Sequence, residues 1–209
     1  MKKFTPFYKY DAEMAKFDYD EISFEKCVRF IDKRYPAQCK TWWPSFFPAA
    51  IGFLTSGTLD DPNIMTISSM AVMCRDPLLI GMPVYWDAKM KSGRYSMELI
   101  NKNKEFCCCI PFISDEMSFA CQVCGTYSGR DKNINKFQEA KLTPLPSKKI
   151  SSPIIKECPL NIECTLKDKI ALGCHTWIIG TVEAIHLNKD IVDAGAYLFW
   201  KSLPEYIKK

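Results

Sequence analysis

Residues 63–70 read Asn63-Ile64-Met65-Thr66-Ile67-Ser68-Ser69-Met70. As a strand, this stretch puts Thr66, Ser68 and Met70 on one face and Asn63, Met65, Ile67 and Ser69 on the other, because side chains alternate along a strand. Hydroxyls in so apolar a strand are costly to bury without partners. Either a polar ligand lying along the strand or neighbouring backbone at a barrel rim meets that demand.

Working outward, an apolar run from Ala49 to Thr55 precedes a turn at Ser56-Gly57-Thr58-Leu59-Asp60-Asp61-Pro62-Asn63. A strand is expected over Ile64 to Cys74, ended by Asp76-Pro77, with a third starting over Leu78 to Val84. Phe106 to Ile113 is apolar throughout, as a strand buried on both sides would be. Asn161 to Ile170 alternates through Ile162, Cys164 and Leu166, and Thr176 to Leu187 follows a turn at Leu172-Gly173. Six or seven strands at this spacing predict a closed or nearly closed barrel. Three helices fall between strands: one capped by Ser96, one capped by Ser114 with Asp115 and Glu116 in its first turn, and one over Ile134 to Ala140. The expected class is mainly β with flanking helices (α+β). The barrel domain is placed at 41–190, after a 1–40 extension with a short helix over Ser23 to Arg34 and before a C-terminal segment, 191–209.

Composition narrows the function. The 209 residues are 47% hydrophobic and 25% charged, so a normal core can be built. Twenty-eight basic residues are spread along the chain against 24 acidic ones, a net charge of +4. This lacks the concentrated basic face that nucleic acid demands. No run of about 18 apolar residues predicts a membrane span, and Met1-Lys2-Lys3 opens no secretory signal, so a cytoplasmic protein is expected. The eleven cysteines include adjacent Cys107, Cys108 and Cys109, which in a strand face opposite sides and cannot all serve one site. Most read as small buried apolar residues with reduced thiols.

Lys91-Ser92-Gly93-Arg94-Tyr95-Ser96 lies just before a helix. Helix N-terminal amides, a hydroxyl and nearby cations make an anion site that fits a phosphate, and a plain helix cap with solvated charges fits the same residues. Cys121-Gln122-Val123-Cys124-Gly125 carries a C-x-x-C spacing, but Met117, Ala120, Cys121 and Cys124 recur on one helical face. Both cysteines are therefore expected to be buried and inert, with no metal site, and Gly125 to be the helix C-cap. Ser128-Gly129-Arg130-Asp131, ahead of Lys136, is a polar loop able to close over a ligand. His175 follows a glycine turn and precedes an apolar run, a position from which it can face a cleft. Dinucleotide-fold glycines, a phosphate loop, a nucleophile elbow and a paired-histidine motif are all absent from the sequence.

Taken in order, these pieces resemble the flavin reductase-like, FMN-binding split-barrel family that includes flavoredoxin. The resemblance runs from about Trp42 to Leu187 through Phe47-Pro48-Ala49-Ala50-Ile51-Gly52, Asn63 to Ser69, Asp76-Pro77-Leu78-Leu79, Arg94-Tyr95-Ser96-Met97-Glu98-Leu99-Ile100, Glu105-Phe106, Cys124 to Asp131, Lys136-Phe137, Glu157-Cys158-Pro159 and Gly173-Cys174-His175-Thr176. It implies a Greek-key split barrel forming a homodimer, with FMN near the dimer interface. It places Asn63, Thr66, Ser68 and Ser69 along the flavin, Arg94, Tyr95 and Ser96 at its phosphate, and Ser128, Gly129, Arg130 and Lys136 close by. In some members the histidine like His175 lies near the flavin, which makes His175 the candidate catalytic side chain, although no obligatory protein acid or base is expected. Three departures stand out: a long loop over Tyr85 to Lys91, Cys174 where an acidic residue is common, and the 40-residue N-terminal extension, which is not part of the core pattern.

The activity implied is transfer of electrons from NADH or NADPH through bound FMN to a small-molecule or protein acceptor. The alternative is a flavoredoxin-like carrier reduced by a partner protein, without useful nicotinamide activity. A barrel that has lost flavin and serves as a binding module is the third reading.

Overall fold

The computed structural model describes residues 51–87, 91–112, 114–173 and 175–189. The expected N-terminal helix, the C-terminal segment and Cys174 lie outside the described residues.

The described chain runs β1 (Ile51–Gly57), β2 (Pro62–Ser68), β3 (Ala71–Arg75), β4 (Leu78–Asp87), β5 (Ser92–Gly93), α1 (Tyr95–Asn103), β6 (Glu105–Ile110), α2 (Asp115–Thr126), α3 (Lys136–Glu139), β7 (Pro144–Leu145), β8 (Ile154–Ile155), β9 (Leu160–Leu172) and β10 (His175–Leu187). One antiparallel sheet has the order β2-β1-β6-β9-β10-β4-β3, with β5 on β4, and β7 pairs with β8 separately.

The sheet is not closed, which decides between the closed and nearly closed alternatives and agrees with the split barrel that the resemblance implies. β2 and β3 form the two ends of the path. They are also consecutive in sequence, joined only by Ser69 and Met70. The single strand expected over Ile64 to Cys74 is thus two strands. Ser69 adopts φ 65°, a left-handed conformation that breaks the ladder and turns the chain from one end of the sheet to the other.

Alternation along the strands builds two cores. Leu54, Met65, Ile67, Met82, Phe106, Cys108 and Ile178 fill the inside of the curled sheet and meet Met97 and Ile100 of α1. Phe53, Ile64, Cys107 and Cys109 face outward and are covered by Ala120, Val123 and Cys124 of α2 and Phe137 of α3. The three adjacent cysteines divide between the faces as expected. Each fully buried large side chain contributes about 1.5–3 kcal/mol. Gly180 is required where Phe106 fills the interior, since a Cβ there would stand 2.4 Å from the Phe106 ring.

The stretch between β7 and β9 is tied to the sheet by polar side chains. Glu163, fully buried, accepts from the amides of Lys148 (2.8 Å) and Lys149 (2.7 Å) and pairs with His186. Glu105 accepts from the Ser151 amide at 2.7 Å. Thr55 Oγ1 donates to the Pro153 carbonyl at 2.5 Å.

Candidate functional site

α1 begins at Tyr95, one residue before the expected cap. Its N-cap is Arg94, extended at φ −69° and ψ 137°, with no side-chain cap over the first turn. Ser96 is not the cap: it lies inside the helix, and its hydroxyl accepts from Asn63 Nδ2 at 2.7 Å. The same amide group donates to Ser56 Oγ at 3.0 Å. Asn63 thereby locks β2 to β1 and to α1. An N-terminus without a side-chain cap presents backbone N–H groups to an anion.

Cations gather at this end of α1. The Arg94 amide donates to the Tyr85 carbonyl at 3.0 Å, which fixes Arg94 beside β4. The Tyr85 ring meets His175 edge-on, with centroids 5.7 Å apart. Burial lowers the pKa of His175, and the charge of Arg94 lowers it further. On the other side stands Lys136, the first residue of α3. It is only 7% exposed. Burial brings it down to about 8; the nearby Cys124 thiol opposes the shift and Arg94 adds to it. Among the described residues, none forms a hydrogen bond or ion pair with the Lys136 ammonium.

The charge of Arg94 bears on both Lys136 and His175, while other expected site residues are placed differently. Thr66 Oγ1 donates to the Cys121 carbonyl of α2 at 2.6 Å, so neighbouring backbone satisfies this hydroxyl. Ser68 and Ser69 stand partly exposed where β2 ends.

The loop of Ser128 to Lys132 is a strap across Tyr95. Gly129 packs so closely that a Cβ would lie 2.0 Å from Asn63 Oδ1 and 2.9 Å from the Tyr95 ring. Arg130 donates to the Gly93 carbonyl at 2.9 Å, pairs with Glu98 and sits 5.7 Å from the Tyr95 ring centroid. Lys132 pairs with Asp61 at 2.8 Å and lies 5.3 Å from the same centroid. Sequence reasoning missed Tyr85, Glu98, Lys132 and Asp61. Glu98 in the first turn of α1 was the readable signal, since an acidic residue there sits near the loop cations.

Of the C-x-x-C pair, Cys124 is buried as helical spacing predicts, whereas Cys121 is only half-buried. Cys124 is buried, and burial pushes its thiol up to about 12; burial also raises half-buried Cys121. Thiols held so far from ionisation are poor nucleophiles. Gly125 is not the cap: α2 continues to Thr126 and ends at Tyr127. α3 is shorter than expected, starting at Lys136 behind an Asn135 cap whose side chain accepts from Gln138 N.

The chain and its fold are similar to known proteins. The chain is 31% identical over 142 residues to an uncharacterized protein of Archaeoglobus fulgidus, covering 68% of this chain and 73% of that one. Its structure is similar to nitrilotriacetate monooxygenase component B from Bacillus cereus (TM-score 0.61, 25% identity, 70% of this chain and 73% of that one). It is also similar to flavoredoxin of Desulfovibrio vulgaris (TM-score 0.57, 25% identity, 69% and 72%). The model of the flavin reductase like domain matches residues 45–206, and the chain therefore belongs to that flavin-binding split-barrel family.

Proposed function

We propose that this protein is an FMN-dependent oxidoreductase that takes electrons from NADH or NADPH and passes them to an acceptor. The observation that carries the reading is the buried Lys136 ammonium, which has no hydrogen bond or ion pair among the described residues, together with Arg94 at the start of α1, where no side chain caps the helix. That donor set suits a phosphate. Arg94, Lys136 and the first amides of α1 would hold the phosphate, and β2 would lie along the rest of the cofactor. When bound, the flavin ring accepts hydride and releases electrons. The protein's part is to bind, orient and exclude water, with His175 at the β4–β10 side of the pocket.

A homodimer fits this reading. Trp177 and Met73 meet over Gly81 on the outer face of β10, β4 and β3, and Trp177 pairs with Ile170. Next along the ribbon, Leu172 pairs with His175. Ile170 is 42% and Leu172 56% exposed, an apolar face that continues into the His175 edge of the site. Sedimentation of the wild type against Leu172→Lys tests it, with a twofold drop in mass expected.

The test of function is the absorbance spectrum of the purified protein, then anaerobic addition of NADH and of NADPH. Flavin bands that bleach with a nicotinamide support the reductase and name its donor. Bands that bleach only with dithionite favour a carrier reduced by a protein partner. A colourless protein that takes up no added FMN sinks both.

A further inference from the structure

The segment 156–159 between β8 and β9 walls a cavity of about 250 Å³, which His186 of β10 also lines. It lies at the end of β10 opposite His175, roughly 35 Å away at the rise of a strand. That volume holds a short-chain molecule and is too small for a flavin. The wall is pre-formed. Asn161 accepts from the Ile155 amide at 2.9 Å and donates to the carbonyls of Ile155 (3.1 Å) and Cys158 (2.9 Å). Glu157 accepts from the Thr143 amide at 2.9 Å and from its hydroxyl at 2.7 Å. Two other lining groups keep unspent capacity. Glu163, fully buried, stands behind His186. Burial works against its ionisation, but the amides of Lys148 and Lys149 and the contact with His186 hold the carboxyl below its usual value. An ionised carboxylate only accepts, so His186 Nε2, which faces it, carries the proton. Nδ1 of the neutral ring is then a lone-pair nitrogen, and it has no hydrogen bond among the described residues. The Lys156 ammonium has no ion pair among them either. Phe112 and Leu187, 39% and 38% exposed, give the same cavity apolar surface. Cys158 lines it too, but burial raises its thiol, as do Glu157 and the cysteines of the outer core. It is no nucleophile for His186 to activate, so the cavity is suited to binding rather than to bond cleavage.

We propose that this cavity is a second small-molecule site and that its ligand is a short-chain hydroxy acid. The hydroxyl donates to His186 Nδ1, the carboxylate pairs with Lys156, and the carbon chain lies against Phe112 and Leu187. Glu163 is a positioning residue: it fixes the tautomer of His186 and leaves the acceptor nitrogen to the ligand. The Glu157 carboxylate on the same wall repels a second negative charge, which makes the ligand a monoacid. The site stands independently of the flavin reading.

NMR of the full-length protein with nitrogen-15 in its histidines tests this. The chain has two histidines, and the signal left in His175→Asn is that of His186. The ligands titrated share one carbon skeleton: 3-hydroxybutyrate, butyrate without the hydroxyl, and 2-butanol without the carboxylate. 3-Hydroxybutyrate should shift His186 Nδ1 saturably and leave His175 in place. Butyrate and 2-butanol should each bind about tenfold more weakly, the loss of one hydrogen bond or ion pair. Lys156→Ala, at an exposed position, should weaken 3-hydroxybutyrate by a similar factor and leave 2-butanol unchanged. A His186 signal that never responds, or a response confined to His175, would overturn the proposal. So would equal affinity for butyrate and 3-hydroxybutyrate, or unchanged affinity for 3-hydroxybutyrate in Lys156→Ala. The absorbance spectrum decides the flavin reading separately.

Discussion

Asn63 and Ser96, 33 positions apart, are joined by a 2.7 Å hydrogen bond that fastens β2 to the first turn of α1. Both are buried. Asn63→Ala removes the donor shared by Ser56 and Ser96 and leaves two buried hydroxyls short of a partner. The expected cost is about 1–3 kcal/mol of stability. Thermal unfolding reads it, and an unchanged midpoint would show that the bond does not hold the two elements together.

Lys136→Met should stabilise the ligand-free protein at pH 7, because it removes a buried ammonium that has no counter-charge among the described residues. The folded lysine titrates near 8, below its ordinary value of about 10.4. Between these two values the unfolded chain holds more protons than the folded one. Stability of the wild type should therefore rise from pH 8 toward pH 10, and the rise should be missing in Lys136→Met. Denaturant unfolding across that range measures both.

Glu163 should set the acid limit of the fold. Burial raises its pKa, but the amides of Lys148 and Lys149 and the contact with His186 outweigh this and hold the carboxyl below its usual value. A depressed carboxylate stabilises the folded state above its unfolded pKa of about 4.3, and that stability is lost as pH falls through the folded value. Glu163→Gln turns an acceptor oxygen into a donor facing a backbone N–H. It is expected to cost about 2–3 kcal/mol at neutral pH and to flatten the acid limb of the stability profile. An unaltered acid limb would assign that limb to other carboxylates.

Cys121→Ser/Cys124→Ser should leave the proposed electron transfer through flavin intact, since burial raises both thiols. Alkylation of the native protein at pH 8 should spare Cys108, Cys109, Cys124 and Cys158, all raised by burial. Rapid modification of Cys124 would contradict the inert reading.

Local pattern and long-range contact divided what the sequence could reveal. The β9–β10 hairpin was legible because long alternating runs flank Gly173, and its observed strands, Leu160–Leu172 and His175–Leu187, extend the expected ones by one or two residues at each end or fewer. The break at Ser69 was not legible, since neither glycine nor proline marks the left-handed residue there. Arg94, Ser96, Arg130 and Lys136 were nameable from motif order. What each side chain touches was not. Arg130 binds Glu98, 32 positions away, and Ser96 answers Asn63 rather than capping its own helix. Only the folded packing of α2 and α3 on β2 reveals that the Lys136 side chain is buried.

Among the described residues, β2 has a ladder partner on one side alone, because the chain leaves it at Ser69 to begin the opposite end of the sheet. Exposed strand edges invite pairing with other chains. A flavin lying along β2 would stand where the missing neighbour belongs, sealing a sticky margin while it does its chemistry. Stripped of cofactor, the protein should clump more readily during storage and refolding than the loaded form, so that cofactor supply would govern solubility as well as turnover.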